Sequence, residues 1–146
     1  MPTILILPWQ WTRAVRPELA VTFASRLDAR GLRAAWILFT GGIRMRRAVL
    51  ANPAALGVSV RAHPLAGRYY TLSMWPDEAS LLAFSRSAEH RAAASRIARL
   101  GSVSGVLIAR DTGSSRPRWA DTLRWLATAE PGPYRRESAS AQARAR

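Results

Sequence analysis

The chain has 146 residues, 49% of them hydrophobic, with no cysteine and a formal net charge of +13. That length fits one domain with its own core, and the lack of cysteine removes disulfides, thiolate metal sites and cysteine nucleophiles together. All 22 basic residues are arginine, as a GC-rich coding bias would produce, so the charge favours contact with polyanions without naming one as partner.

The longest apolar stretches, residues 4–8 and 34–39, fall far short of the roughly 20 residues a bilayer crossing needs. No basic segment precedes the first of them, so neither a secretory signal nor a membrane span is expected, and the location implied is cytoplasmic. Residues 3–7 are apolar and end at Pro8, which suggests an edge strand or an ordered arm over residues 1–17. Residues 18–27 alternate as a strand does, and Asp28-Ala29-Arg30-Gly31 supplies a turn. Over residues 32–52, Trp36, Phe39, Ile43, Arg47 and Leu50 recur at helical spacing. Gly41-Gly42 marks a weak point in that helix, and Asn52-Pro53 ends it.

Residues 57–64 and 68–75 read as two strands of a hairpin, joined across Leu65-Ala66-Gly67. Pro76-Asp77-Glu78 opens a helix, with acids placed to complement the positive end of its dipole. Ser87 is a good N-cap for a further helix through Leu100, residues 102–110 form a last strand, and residues 117–129 are helical. From Pro131 the composition turns to Pro, Gly, Ser, Ala and Arg, which predicts a disordered basic tail over residues 131–146. One domain over residues 18–130 is therefore expected. It is α+β, a ferredoxin-like split βαβ arrangement on an antiparallel sheet with an extra C-terminal helix.

The run from Tyr70 through Trp75-Pro76-Asp77-Glu78 to Phe84, then Ser87-Ala88-Glu89-His90-Arg91, resembles the antibiotic biosynthesis monooxygenase-like superfamily. Leu56 to Ala62 adds to the likeness, which spans roughly residues 18–110. Within the superfamily the chain is most similar to spheroidene-monooxygenase-like proteins and an uncharacterised domain family grouped beside them. The resemblance implies a dimeric α/β barrel, a homodimer with a pocket between sheet and helices in each subunit. It also implies a monooxygenase acting on a hydrophobic aromatic or conjugated small molecule, with either no cofactor or haem. In the haem-degrading branch the ligand histidine would fall at Ala94. His90 lies one turn earlier, so that ligand does not carry over directly.

His90 shares a helical face with Ala94 and Ile97, so it is expected to point inward as a proton shuttle, a ligand or a packing histidine. Trp75, Tyr69 and Tyr70 either stack on a planar substrate or pack at the dimer-facing side of the sheet. With His90, Trp75 and Tyr70 form the candidate catalytic set. Arg61, Tyr69 and Phe84 form the candidate substrate-binding set, with Arg61 available to hold an anionic group in bidentate fashion. Arg44, Arg46 and Arg47 read as a solvated helix face, and nucleic acid is not an expected partner. No metal spacing, phosphate loop or nucleophile–base pair is present as a motif. The competing expectation is a non-catalytic module carrying a small apolar ligand in the same pocket.

Overall fold

The computed structural model describes residues 4–12, 17–113 and 115–137. Strands β1 (Leu5–Trp11) and β2 (Leu19–Ala29) precede helix α1 (Leu32–Ala51). The hairpin β3 (Gly57–His63) and β4 (Arg68–Trp75) leads into α2 (Glu78–Ser85) and α3 (Ala88–Leu100). Then come β5 (Val103–Gly113), α4 (Trp119–Thr128) and a short β6 (Arg135–Glu137). One six-stranded sheet runs in the order β1-β3-β4-β2-β5-β6, antiparallel except where β6 joins β5. Its inner four strands with α1 to α3 are the expected ferredoxin-like arrangement, and the fold is α+β.

Strand alternation divides the sheet residues between two faces. Val21, Val58, Trp75 and Ala109 meet Val49, Leu81 and Phe84 of the covering helices α1 and α2. The other face carries Ala24, Leu72, Val106 and Ile108, on which Trp125 and Leu126 of α4 are buried. Burying these two side chains contributes on the order of 2 kcal/mol each. Farther along the same face, Trp9 and Trp11 close over Ala20, Leu56 and Met74. Sheet-to-sheet pairing of two copies would use this face, but α4 lies on it.

Three boundaries differ from the sequence expectation. β1 does not stop at Pro8. It continues to Trp11 past a bulge between Leu7 and Gln10, where a residue without an N–H is tolerated on an edge strand. The bulge brings Trp9 over Gly57, where a Cβ would collide with the indole. α1 runs unbroken through Gly41-Gly42, and a Cβ at Gly42 would meet Val60 Cγ1 at an ordinary 3.7 Å. Residues 131–137 are not a tail: β6 pairs with β5, and Arg136 bonds Asp111 and reaches Glu78 at 3.4 Å. Thr3 and residues 138–146 lie outside the described residues. No helix among the described residues is long and apolar enough to cross a membrane.

Candidate active site

Between the helix-covered face of the sheet and α1 to α3 lies a cavity of about 480 Å³. Odd-numbered residues of β2 and β4 form its floor, among them Phe23, Ser25, Tyr69 and Ser73. The roof comes from α1 and α3, and it is open because small residues stand where large ones would fill it: Gly41 and Gly42 on α1, and Ala93, Ala94 and Ala98 on α3. Leu5 and Leu7 of β1 form the outer wall at the sheet edge.

His90 is the imidazole in this wall. Its position follows from local sequence: the Ser87 hydroxyl accepts from the His90 N–H at 3.3 Å, fixing the first turn of α3. The ring is half-buried and stands edge-on to Phe84 at 5.5 Å, and Phe84 in turn packs on Trp75 at 5.1 Å. Burial pushes the His90 pKa below its ordinary value, opposed in part by a hydrogen bond with the main chain of Ser85. The neutral imidazole, a proton acceptor, is thus favoured near neutral pH.

Tyr69 and Phe84 also line the cavity. Burial pushes the Tyr69 hydroxyl up, so it stays protonated and able to donate. Trp75 shares this face but is fully buried behind the wall, its indole N–H donating to Ser73 Oγ at 2.9 Å. Its role is to support Phe84 and Ser73 rather than to meet a ligand.

Tyr70 and Arg61 do not join the set. Tyr70 borders the cavity, but its ring lies on the opposite face in edge contact with Trp119 at 6.3 Å and His63 at 5.8 Å. Arg61 is paired with Tyr70 in register and shares the alternation of Ser59, whose hydroxyl accepts from the Trp119 indole at 3.0 Å. Neighbouring residues of a strand cannot face one pocket together, so Tyr69 admits Tyr70's ring only to the other side.

One residue of the cavity falls in the segment read from sequence as a tail. Tyr134 lines it and packs on Phe23 at 6.4 Å, with its hydroxyl donating to Glu78 Oε1 at 3.1 Å. Burial and the Glu78 carboxylate push its pKa up to about 12. The available signal was that Tyr134 is the sole aromatic residue after Trp125.

A haem would need an axial histidine with open space over its ring and cations near its propionates. Arg61, the cation that the sequence offers for an anionic group, lies with Tyr70 on the far face, and the arginine that lines the cavity beside His90 is Arg46.

No protein-family model matches the chain, and no curated protein matches it significantly. Solved structures do. SnoaB of Streptomyces nogalater, described as a cofactor-independent oxygenase, is 14% identical with a TM-score of 0.52, covering 68% of this chain and 96% of that one. An antibiotic biosynthesis monooxygenase is 15% identical with a TM-score of 0.50, covering 60% and 94%. A conserved protein of unknown function from Bacteroides thetaiotaomicron is 7% identical with a TM-score of 0.56, covering 66% and 100%. Each matches nearly whole against a share of this chain about the size of the segment from β2 to β5. At such identities the likeness is one of fold: this chain has the fold of the antibiotic biosynthesis monooxygenases, extended by further elements at both ends of that segment.

Proposed function

We propose that the domain is a monooxygenase-like enzyme that oxidises a hydrophobic aromatic or conjugated small molecule in the cavity between the sheet and α1 to α3, without a bound cofactor. The observation that carries it is one half-buried imidazole, His90, in an otherwise largely apolar wall. Neutral His90 accepts a proton from a C–H made acidic by flanking aryl or carbonyl groups. The protonated Tyr69 hydroxyl, which also lines the cavity, donates to the enolate oxygen that results. Apolar walls keep water from quenching the carbanion, which reduces dioxygen directly. A C–H bond breaks, a C–O bond forms to a peroxide, and loss of water leaves a carbonyl. Overall CH₂ and O₂ give C=O and H₂O, so one oxygen atom enters the substrate and the other leaves as water.

The spheroidene-monooxygenase likeness would extend the substrate class to polyenes, whose long conjugated bodies suit the same walls. Apolar walls would equally suit a carrier that performs no chemistry, and turnover separates the two. An oxygen electrode with anthrone and a naphthohydroquinone should record uptake that His90→Ala lowers at least about 100-fold while the fold is retained. Unchanged uptake in His90→Ala removes the base from this role, and tight binding with no uptake favours the carrier. A homodimer also belongs to this proposal, and light scattering on the full chain tests it.

A further inference from the structure

On the outer side of the α1–α3 contact lies a second space, a groove of about 510 Å³. Its apolar floor is Ile37, Met45, Ala48 and Ile97, and its rim carries Arg44 and Arg47 from α1 and Arg96 from α3. Spacings of three and four place these residues along one stripe of each helix. Glu89 is the one acid on the rim, so the balance is positive. None of the three arginines makes an ion pair among the described residues. All three arginines are exposed and stand beside the apolar floor of the groove.

The groove and the cavity share a wall. Gly41, Met45, Ala93 and Ile97 border both spaces. Gly41 brings no side chain to that wall, and a Cβ built there would meet nothing within 4 Å. Met45 is the most adaptable side chain of the four, since its unbranched thioether changes rotamer cheaply. The neck between the two spaces is therefore closed by two small residues, one isoleucine and one flexible methionine.

We propose that this groove is the anion-reading mouth of the cavity, and that the ligand is an amphipathic anion. Its apolar body passes the Gly41–Met45 neck, and its carboxylate, sulfonate or phosphate stays between Arg44, Arg47 and Arg96. The inference rests on the cavity being the binding site. It adds the charge and polarity of the ligand. Arginine forks hold such oxyanions in bidentate fashion, and the positive rim raises the local concentration of anions at low salt.

A matched pair of fluorescent probes tests it on the full chain. 8-Anilinonaphthalene-1-sulfonate and N-phenyl-1-naphthylamine share one aromatic body and differ by the sulfonate. The wild-type chain should bind the sulfonate at one site, about tenfold tighter than the amine at low salt, with the advantage fading as salt is added. The triple variant Arg44→Gln, Arg47→Gln, Arg96→Gln should lose that advantage and keep its affinity for the amine. Gly41→Leu, which suits a helix better than glycine does, should slow entry of both probes. Equal sulfonate binding by the triple variant, or unchanged entry in Gly41→Leu, overturns the mouth while leaving the cavity standing. Failure of the wild-type chain to bind the amine overturns the cavity reading itself.

A competition arm separates a free amphiphile from a lipid surface. Dodecanoate should displace N-phenyl-1-naphthylamine from the wild-type chain and do so about tenfold less well from the triple variant. Arginine-dependent sedimentation with phosphatidylglycerol vesicles, without displacement by dodecanoate, would make the rim a membrane-contact surface and overturn the proposal.

Discussion

On the face of the sheet that α4 covers, four indoles lie against the strand residues: Trp125 and Trp119 on the cluster of Ala24, Tyr70 and Val106, and Trp9 and Trp11 on Ala20 and Met74. On the face that α1 and α3 cover, glycines and alanines stand opposite Phe23 and Tyr69, and about 480 Å³ stays unfilled. The strands are of one kind throughout, with alternate residues of the same chain serving both faces. What differs is the size of the side chains that the covering elements bring. A binding face in this fold is thus marked by small residues on its helices more than by polar residues on its strands.

The largest way to break the contrast is to hollow the filled face. Trp125→Ala removes a buried indole together with the ring on which the Arg110 guanidinium rests at 4.2 Å. Urea unfolding should show a loss of about 3–5 kcal/mol, while the folded fraction binds N-phenyl-1-naphthylamine as before, because the cavity lies across the sheet.

Two glycines sharpen the same contrast in opposite directions. At Gly57 an added Cβ collides with the Trp9 indole, so Gly57→Ala should cost about 1–3 kcal/mol, as overpacking does. Trp9→Ala in the same chain should return part of it, a coupling that a double-mutant cycle reads directly. At Gly42 the added Cβ meets Val60 Cγ1 at an ordinary 3.7 Å, beneath the hollow. Gly42→Ala should raise stability by up to about 1 kcal/mol through helix propensity, measured as a higher urea midpoint with an unchanged slope.

Much of this was legible in the sequence. The alternation in residues 18–27 and 68–75, the Ser87 cap and the order of elements specify a ferredoxin-like sheet, because they are local signals. The face that each candidate residue serves was not. The sequence expectation puts Tyr69 and Tyr70 in one pocket, although a period of two sends adjacent rings apart; alternation tells which residues travel together without telling which set meets the hollow. Residues 131–137 differ from the expectation for another reason. Their composition is that of a tail, and only distant partners, Asp111 and Glu78 for Arg136 and Glu78 for Tyr134, give it a place.

The two histidines carry the comparison to its smallest measurable effect, since one serves each face. His90 is in the cavity wall, and His63 is on the far face against Tyr70. Burial lowers the pKa of both, with Arg61 and Arg68 adding to the effect at His63. A lowered histidine pKa means that the unfolded chain binds the proton more readily than the folded one. Each ring therefore favours the fold above the ordinary histidine value of 6.5 and gives up stability as pH falls through it toward the folded value. Unfolding midpoints should drop across that acidic window, and His90→Gln and His63→Gln should each flatten part of the drop. Proton NMR distinguishes the faces. Saturating the cavity with N-phenyl-1-naphthylamine should lower the His90 midpoint further, because the probe displaces whatever water still reaches the ring, and should leave that of His63 in place. A shift at both, or at His63 alone, would mean that the apolar ligand binds on the α4 side and that the hollow between sheet and helices is not its site.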